Sequence, residues 1–186
     1  MQKTLLLDYD NTICDFVEIF CTHWNKLYPD NILKTEDISE YNLYNCIIKK
    51  GYDILKLEKF WKESNLYQET YFDCKKREDV LYLARWFKEN GYYIELNTMC
   101  GTEEMVISKT KKLYSDIELL EIADKITITI TNNFDLVSKP TFYDVVIDDN
   151  PQYIEKYLKE HKNGLAFMPK WIYNKYLIPR KGIIAI

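Results

Sequence analysis

The chain has 186 residues, 47% apolar and 29% charged, with 25 Lys and Arg against 29 Asp and Glu for a net charge of −4. That length and balance suit one α/β domain with a substantial core and a small inserted subdomain, exclude a disordered chain, and disfavour two full domains. No broad cationic surface is available to track a nucleic-acid backbone, so polymeric nucleic acid is disfavoured as a substrate, and Arg77, Arg85 and Arg180 are the only arginines that can clamp a phosphate.

Residues 4–7 form a short apolar run that ends in acidic and polar residues, the pattern of a buried parallel strand opening into a loop at its carboxyl end. Residues 15–73 contain nothing that reads as a strand of the same sheet. Phe16, Phe20, Trp24, Leu27 and Tyr28 recur at helical spacing, and further helices are expected over residues 36–48 and 52–63. A helix over residues 77–90, closed by Gly91, leads into a second strand over 92–96 that is followed by Asn97 and Thr98. Thr102-Glu103-Glu104 opens the next helix, residues 102–114, with a capping hydroxyl and acids at the positive end of the dipole.

A third strand is expected over residues 126–130, β-branched throughout and ending near Asn132 and Asn133. The fourth covers 144–147 and runs into Asp148-Asp149; Asn150-Pro151 starts a helix reaching about Lys162, and a weaker fifth strand covers 165–167. Strands alternating with helices indicate a parallel sheet with right-handed crossovers, a Rossmann-like α/β core. The predicted division is a core of residues 1–14 and 74–186 with a helical subdomain of residues 15–73.

Cys14, Cys21, Cys46, Cys74 and Cys100 contain no Cys-x-x-Cys pair and are odd in number, so reduced, intracellular cysteines are expected. No window has the length of a signal-peptide core or a membrane span, which makes the cytoplasm the expected compartment. Cys100 has no histidine beside it in sequence and is assigned to packing.

Asp8-Tyr9-Asp10-Asn11-Thr12 places two carboxylates in one loop beyond the first strand. Alone, the pentapeptide equally fits an ordinary strand-end turn. A second acidic pair, Asp148-Asp149, ends another buried strand and brings four acids to one sheet edge. At an effective dielectric of about 20, like charges roughly 4 Å apart repel by about 4 kcal/mol, so the cluster calls for a cation. Oxygen donors without neighbouring His or Cys suit Mg²⁺ better than Zn²⁺.

With these motifs in this order, together with Thr98 at the end of the second strand and Lys139 before Pro140, the sequence resembles the haloacid-dehalogenase superfamily of phosphohydrolases from residue 3 to about residue 168. The resemblance implies that Asp8 is a nucleophile forming an aspartyl-phosphate and that Asp10 is general acid and then base. It implies that Asp8, the Asp10 carbonyl, Asp148 and Asp149 surround Mg²⁺, that Thr98 donates to the phosphate, and that Lys139 offsets charge on the transferring group. Asn11 stands where many members have glycine, and Met99-Cys100-Gly101 lacks the small polar residue that some nucleotidases carry after the threonine.

The position of the helical insertion corresponds to the family's type-one cap, and the overall pattern looks most like the small 5′(3′)-deoxyribonucleotidase branch. The implied substrate is a small phosphomonoester, a nucleotide in the first place, with a homodimer as one allowed assembly. Phe16 and Phe20, close behind the catalytic loop, are the candidates to stack on a base, and Met99 lies beside Thr98 at the same subsite. For each aromatic the competing reading is a place in the insertion's own core. Two rivals remain: a phosphatase for sugar phosphates or nucleic-acid 3′ ends, and a phosphate-binding module without turnover.

Overall fold

The computed structural model describes residues 2–62, 74–131, 139–178 and 180–186. Six strands, β1 (Thr4–Leu7), β2 (Tyr93–Cys100), β3 (Lys125–Ile130), β4 (Val145–Ile147), β5 (Leu165–Met168) and β6 (Ile183–Ala185), form one sheet in the order β3-β2-β1-β4-β5-β6. All five pairings are parallel. From β1 the chain winds to β2 and β3 on one side, then returns to β4 and continues to β5 and β6 on the other. The reversal lies between β1 and β4, where open α/β sheets leave a crevice at the carboxyl edge.

Strand β1 alternates between the two faces, as the pleat requires. Leu5 and Leu7 join one core with Leu96, Val145 and Ile147, while Leu6 packs on the other face with Val146, Tyr153, Ile154 and Tyr157. The flanking helices are α4 (Glu78–Glu89), α5 (Glu103–Ser115), α6 (Ile117–Ile122) and α7 (Pro151–Glu160). Thr102 caps α5 by accepting from Met105 N, and Asn150 caps α7 by accepting from Gln152 N and Tyr153 N. No helix among the described residues is long and apolar enough to cross a membrane.

Between β1 and α4 lie α1 (Phe16–Leu27), α2 (Leu43–Lys49) and α3 (Ile54–Lys62), with no strand of the sheet among their described residues. The single helix expected over 36–48 is instead a 3₁₀ turn at Thr35–Asp37 followed by α2. Asn42 restarts the chain, its side chain accepting from Tyr44 N. Glu63, the end expected for the following helix, and the Asp73 boundary lie outside the described residues, as do Asn132 and Asn133.

Three further expectations are corrected. Strand β2 runs to Cys100 rather than Leu96, because its ladder with β3 continues through Thr98↔Ile128 to Cys100↔Ile130. Helix α6 and strand β6 had no counterpart in the sequence reading. Cys14 and Cys74, expected as free thiols, are joined in a disulfide with their Cα atoms 5.6 Å apart, while Cys21, Cys46 and Cys100 are free and buried. The chain segments that enter and leave the helical insert run side by side, with Asp15 N donating to Lys75 O at 3.1 Å and Arg77 N to Ile13 O at 2.7 Å. That pairing carries the two cysteines together across 60 residues of sequence.

Candidate active site

Strand register builds the site. Leu7 pairs with Leu96 on one side and Ile147 on the other, so the next residues, Asp8, Asn97 and Asp148, fall side by side at the carboxyl edge. Asp8 N donates to Ile147 O at 2.9 Å, which fixes the first residue of the loop against β4. One step further on are Thr98, still within β2, and Asp149.

Asp8, Asp148 and Asp149 are all buried, and each offers an oxygen within 4.8 Å of the others. Lys139 Nζ lies between the first two, donating to Asp8 Oδ1 at 2.5 Å and to Asp148 Oδ2 at 2.7 Å. Thr12 Oγ1 donates to Asp8 Oδ2 at 3.1 Å and lies 3.5 Å from Asp149 Oδ1. Asp148 Oδ1 accepts from Asn150 N at 2.8 Å. Asp149 accepts from the Tyr173 hydroxyl, and its carbonyl accepts from Asn174 Nδ2 at 3.0 Å.

Asp10 stands apart from this trio. Its Oδ2 accepts from Lys109 Nζ, whereas its enclosed Oδ1 has no partner among the described residues. Lys109, fully buried on α5, also donates to Thr98 Oγ1 and to Met99 O, both at 2.9 Å. The sequence favours Lys139 for the lysine role over Lys109, Lys111 and Lys112; the structure brings in Lys109 beside Lys139. Its signal was its position on the apolar stripe Met105, Lys109, Leu113, where an unpaired lysine would not be buried.

The electrostatics follow from burial. Asp149 is held well above the usual carboxylate range, first by loss of solvent and then by the charges on Asp8 and Asp148. Burial also lifts Asp148, against the pull of Lys139. Asp10 is raised by burial and partly drawn back by Lys109. For Lys139, burial favours the neutral amine, but the carboxylates of Asp148 and Asp8 outweigh it and keep the ammonium form. Counted formally, Asp8, Asp10, Asp148 and Asp149 against Lys109 and Lys139 leave −2, a surplus that adds to burial in lifting Asp148 and Asp149. Three buried carboxylates converging without histidine or cysteine, and two charges left over, fit a hard divalent ion such as Mg²⁺.

Of the other predicted residues, Phe20 is fully buried, packed against Trp24, Phe60 and Trp61, the surroundings of a core side chain. Phe16 stacks on Phe20 and Trp61 at the edge of that cluster. Met99 is buried and reaches the site through its carbonyl. Three residues of the site had no sequence signal: Trp171, Tyr173 and Asn174 come from the irregular segment between β5 and β6. Tyr41, one of the aromatics that crowd the sequence of the insert, meets the Tyr173 ring edge-on at 5.9 Å. Burial and the nearby Asp149 carboxylate both hold the Tyr41 phenol protonated.

No protein-family model matches the sequence, and no curated protein matches it either. Solved structures do match over nearly the whole chain. A family IA haloacid-dehalogenase hydrolase from Entamoeba histolytica is 16% identical with a TM-score of 0.63, covering 100% of this chain and 92% of that one. A haloacid dehalogenase-like hydrolase from Streptococcus pneumoniae is 12% identical with a TM-score of 0.67, covering 99% and 93%. A CbbY variant from Rhodobacter sphaeroides in complex with xylulose-1,5-bisphosphate is 12% identical with a TM-score of 0.59, covering 99% and 94%. The chain has the α/β fold of haloacid-dehalogenase-type hydrolases.

Proposed function

We propose that this protein is a Mg²⁺-dependent phosphomonoester hydrolase that works through an aspartyl-phosphate on Asp8. The observation that carries the proposal is the division of labour among the acids. Asp8, Asp148 and Asp149 share one pocket with Lys139, while Asp10 presents an unpartnered oxygen beside it. An oxygen of Asp8 attacks phosphorus, the bond from phosphorus to the ester oxygen breaks, and Asp10 supplies the proton that the leaving alkoxide needs. Asp10 then takes a proton from water as that water attacks the aspartyl-phosphate, which releases inorganic phosphate and restores the Asp8 carboxylate. Lys139 keeps Asp8 in place and offsets negative charge arriving with the substrate, and Lys109 holds one oxygen of Asp10 so that the other faces the reaction. Asp8, Asp148 and Asp149, with the Asp10 carbonyl, would hold Mg²⁺, whose role is to draw charge from the phosphoryl oxygens.

Residues 15–73 act, in this reading, as a cap on a core of residues 1–14 and 74–186. The substrate is a small phosphomonoester, and the finer assignment is a nucleoside monophosphate handled by a 5′(3′)-deoxyribonucleotidase-type enzyme. Rings near the carboxylates, Tyr41 from the insert and Tyr173 from the core, support a planar leaving group. A sugar phosphate is the second reading, favoured by the similarity to CbbY, which was solved with xylulose-1,5-bisphosphate.

Phosphate release from deoxynucleoside monophosphates, ribonucleoside monophosphates, sugar phosphates and phosphoglycolate, measured with Mg²⁺, tests both levels. The expected outcome is turnover that Asp8→Asn reduces by at least about a thousandfold without loss of fold. Normal turnover in Asp8→Asn would refute the covalent route, and preference for a sugar phosphate would refute the nucleotide assignment.

A further inference from the structure

The segment between β5 and β6 bonds to both loops of the site, and the reaction outlined above gives no reason for one of those bonds. Trp171 Nε1 donates to the carbonyl of Asn11 at 2.7 Å, across 160 residues of sequence. Asn11 is also the only non-glycine residue with a positive φ among the described residues, at 54°. An L residue resists this left-handed region, asparagine less than most, and holding it there takes compensating contacts. Two are visible. Asn11 Oδ1 accepts from Val17 N at 2.9 Å, and its carbonyl accepts from the Trp171 indole.

The indole is itself presented from a fixed turn. Asn174, fully buried, accepts from Trp171 N at 2.9 Å and donates to Pro169 O at 2.9 Å and to Asp149 O at 3.0 Å. Tyr173, one residue earlier, bonds the Asp149 carboxylate. The turn is therefore anchored in the Asp148-Asp149 loop while its indole reaches the Asp8–Thr12 loop. Ile13 N and Cys14 N both donate to Tyr9 O at 2.9 Å, so the left-handed residue Asn11 lies inside the closed turn that also carries Asp10.

We propose that Trp171 is a positioning residue for the catalytic loop, its indole N–H locking the left-handed turn at Asn11 and so setting Asp10 against Asp8. The proposal rests on the hydrolase reading for its effect on turnover, but its effect on the loop can be read separately. Glycine enters positive φ as readily as negative φ, so the Asn11→Gly variant has less need of the indole. A tryptophan that only fills space predicts no such link between positions 11 and 171.

The experiment is a double-mutant cycle of Trp171→Phe and Asn11→Gly, read by kcat and KM on p-nitrophenyl phosphate with Mg²⁺ and by amide hydrogen exchange over residues 8–13. With Asn11 present, Trp171→Phe is expected to lower kcat about tenfold, the effect of losing one hydrogen bond of ordinary net strength, with KM changed by less than about threefold. Exchange over residues 8–13 should accelerate. In the Asn11→Gly background the same substitution should cost less than about threefold in kcat and leave the exchange unchanged. Trp171→Leu, which also lacks the donor but fills the space differently, must show the same pattern and replaces Trp171→Phe if that variant does not fold. Equal losses in both backgrounds, a loss below threefold with Asn11 present, or unaltered exchange would overturn the proposal. If the native protein releases no phosphate from any ester, the hydrolase reading fails, and the exchange measurement alone still decides the role of Trp171.

Discussion

Replacing Asp149 by asparagine removes one negative charge from a pocket where three buried carboxylates face a single ammonium. Two unit charges 4.8 Å apart repel by about 3.5 kcal/mol at an effective dielectric of about 20. Because Lys139 offsets one of the two neighbouring carboxylates, Asp149 faces close to one net negative charge. Proton uptake relieves part of that repulsion, which leaves a gain of about 2 kcal/mol for the asparagine, or roughly 4–8 °C in melting temperature for a chain of this size. Asparagine keeps the shape and an oxygen that accepts the Tyr173 hydroxyl.

The pH dependence has a definite sign. Asp149 has a folded-state pKa above its unfolded value, so its contribution to stability is fully present below the unfolded carboxylate range and is lost as pH rises through the folded value. In EDTA, Asp149→Asn should therefore melt higher than the native protein at pH 7.5, and the gap should shrink towards pH 4. Mg²⁺ supplies the missing charge to the native pocket, so it should raise the native melting temperature more than that of the variant. Differential scanning calorimetry at both pH values, with EDTA or Mg²⁺, measures all of this. A variant that melts lower than the native protein at pH 7.5 in EDTA would refute the charge argument.

Lys139→Met leaves Asp8 and Asp148 without their shared ammonium, and breaking a buried pair in this way should cost about 3–5 kcal/mol, visible as a lower melting temperature in EDTA that Mg²⁺ partly restores. An unchanged melting temperature would contradict the pairing. Thiol titration of the denatured, unreduced protein should count three free thiols and five after reduction; five before reduction would show that Cys14 and Cys74 are not joined. Closing a loop of 60 residues is worth up to about 4 kcal/mol, so reductant should lower the melting temperature as well. Chelator should abolish phosphate release and Mg²⁺ restore it, whereas full restoration by Zn²⁺ alone would contradict the assignment of an oxygen-donor site for a hard cation.

What could be read in the sequence is whatever immediately follows a short apolar run. Asp8 follows Leu7 and Asp148 follows Ile147, and in a parallel sheet those two leucine and isoleucine positions are register partners. Once the strand ends are located, pairing decides the rest, because a residue directly after one strand end must lie beside its counterpart on the next. Strand β2 runs past its expected end at Leu96 for a related reason. The length of β2 is set by its ladder with β3, a partner 30 residues further along, and not by the apolar run of β2 itself.

The unread part of the site consists of groups whose partners lie far off in sequence and whose own surroundings are irregular. Trp171, Tyr173 and Asn174 have no periodicity to mark them, yet each reaches a catalytic loop through a hydrogen bond. Lys109 is different, since a lysine on the buried face of a helix calls for an acid to meet it. Helical spacing shows that such an acid must exist but not which one. Asp10 meets it only because β1 and β2 are neighbours and α5 follows β2, so that its side chain descends onto the edge where Asp10 lies. The acids that build the pocket belong to strand ends and announce themselves locally; the residues that hold those acids in position belong to the topology, and they become visible only when the strand order is known.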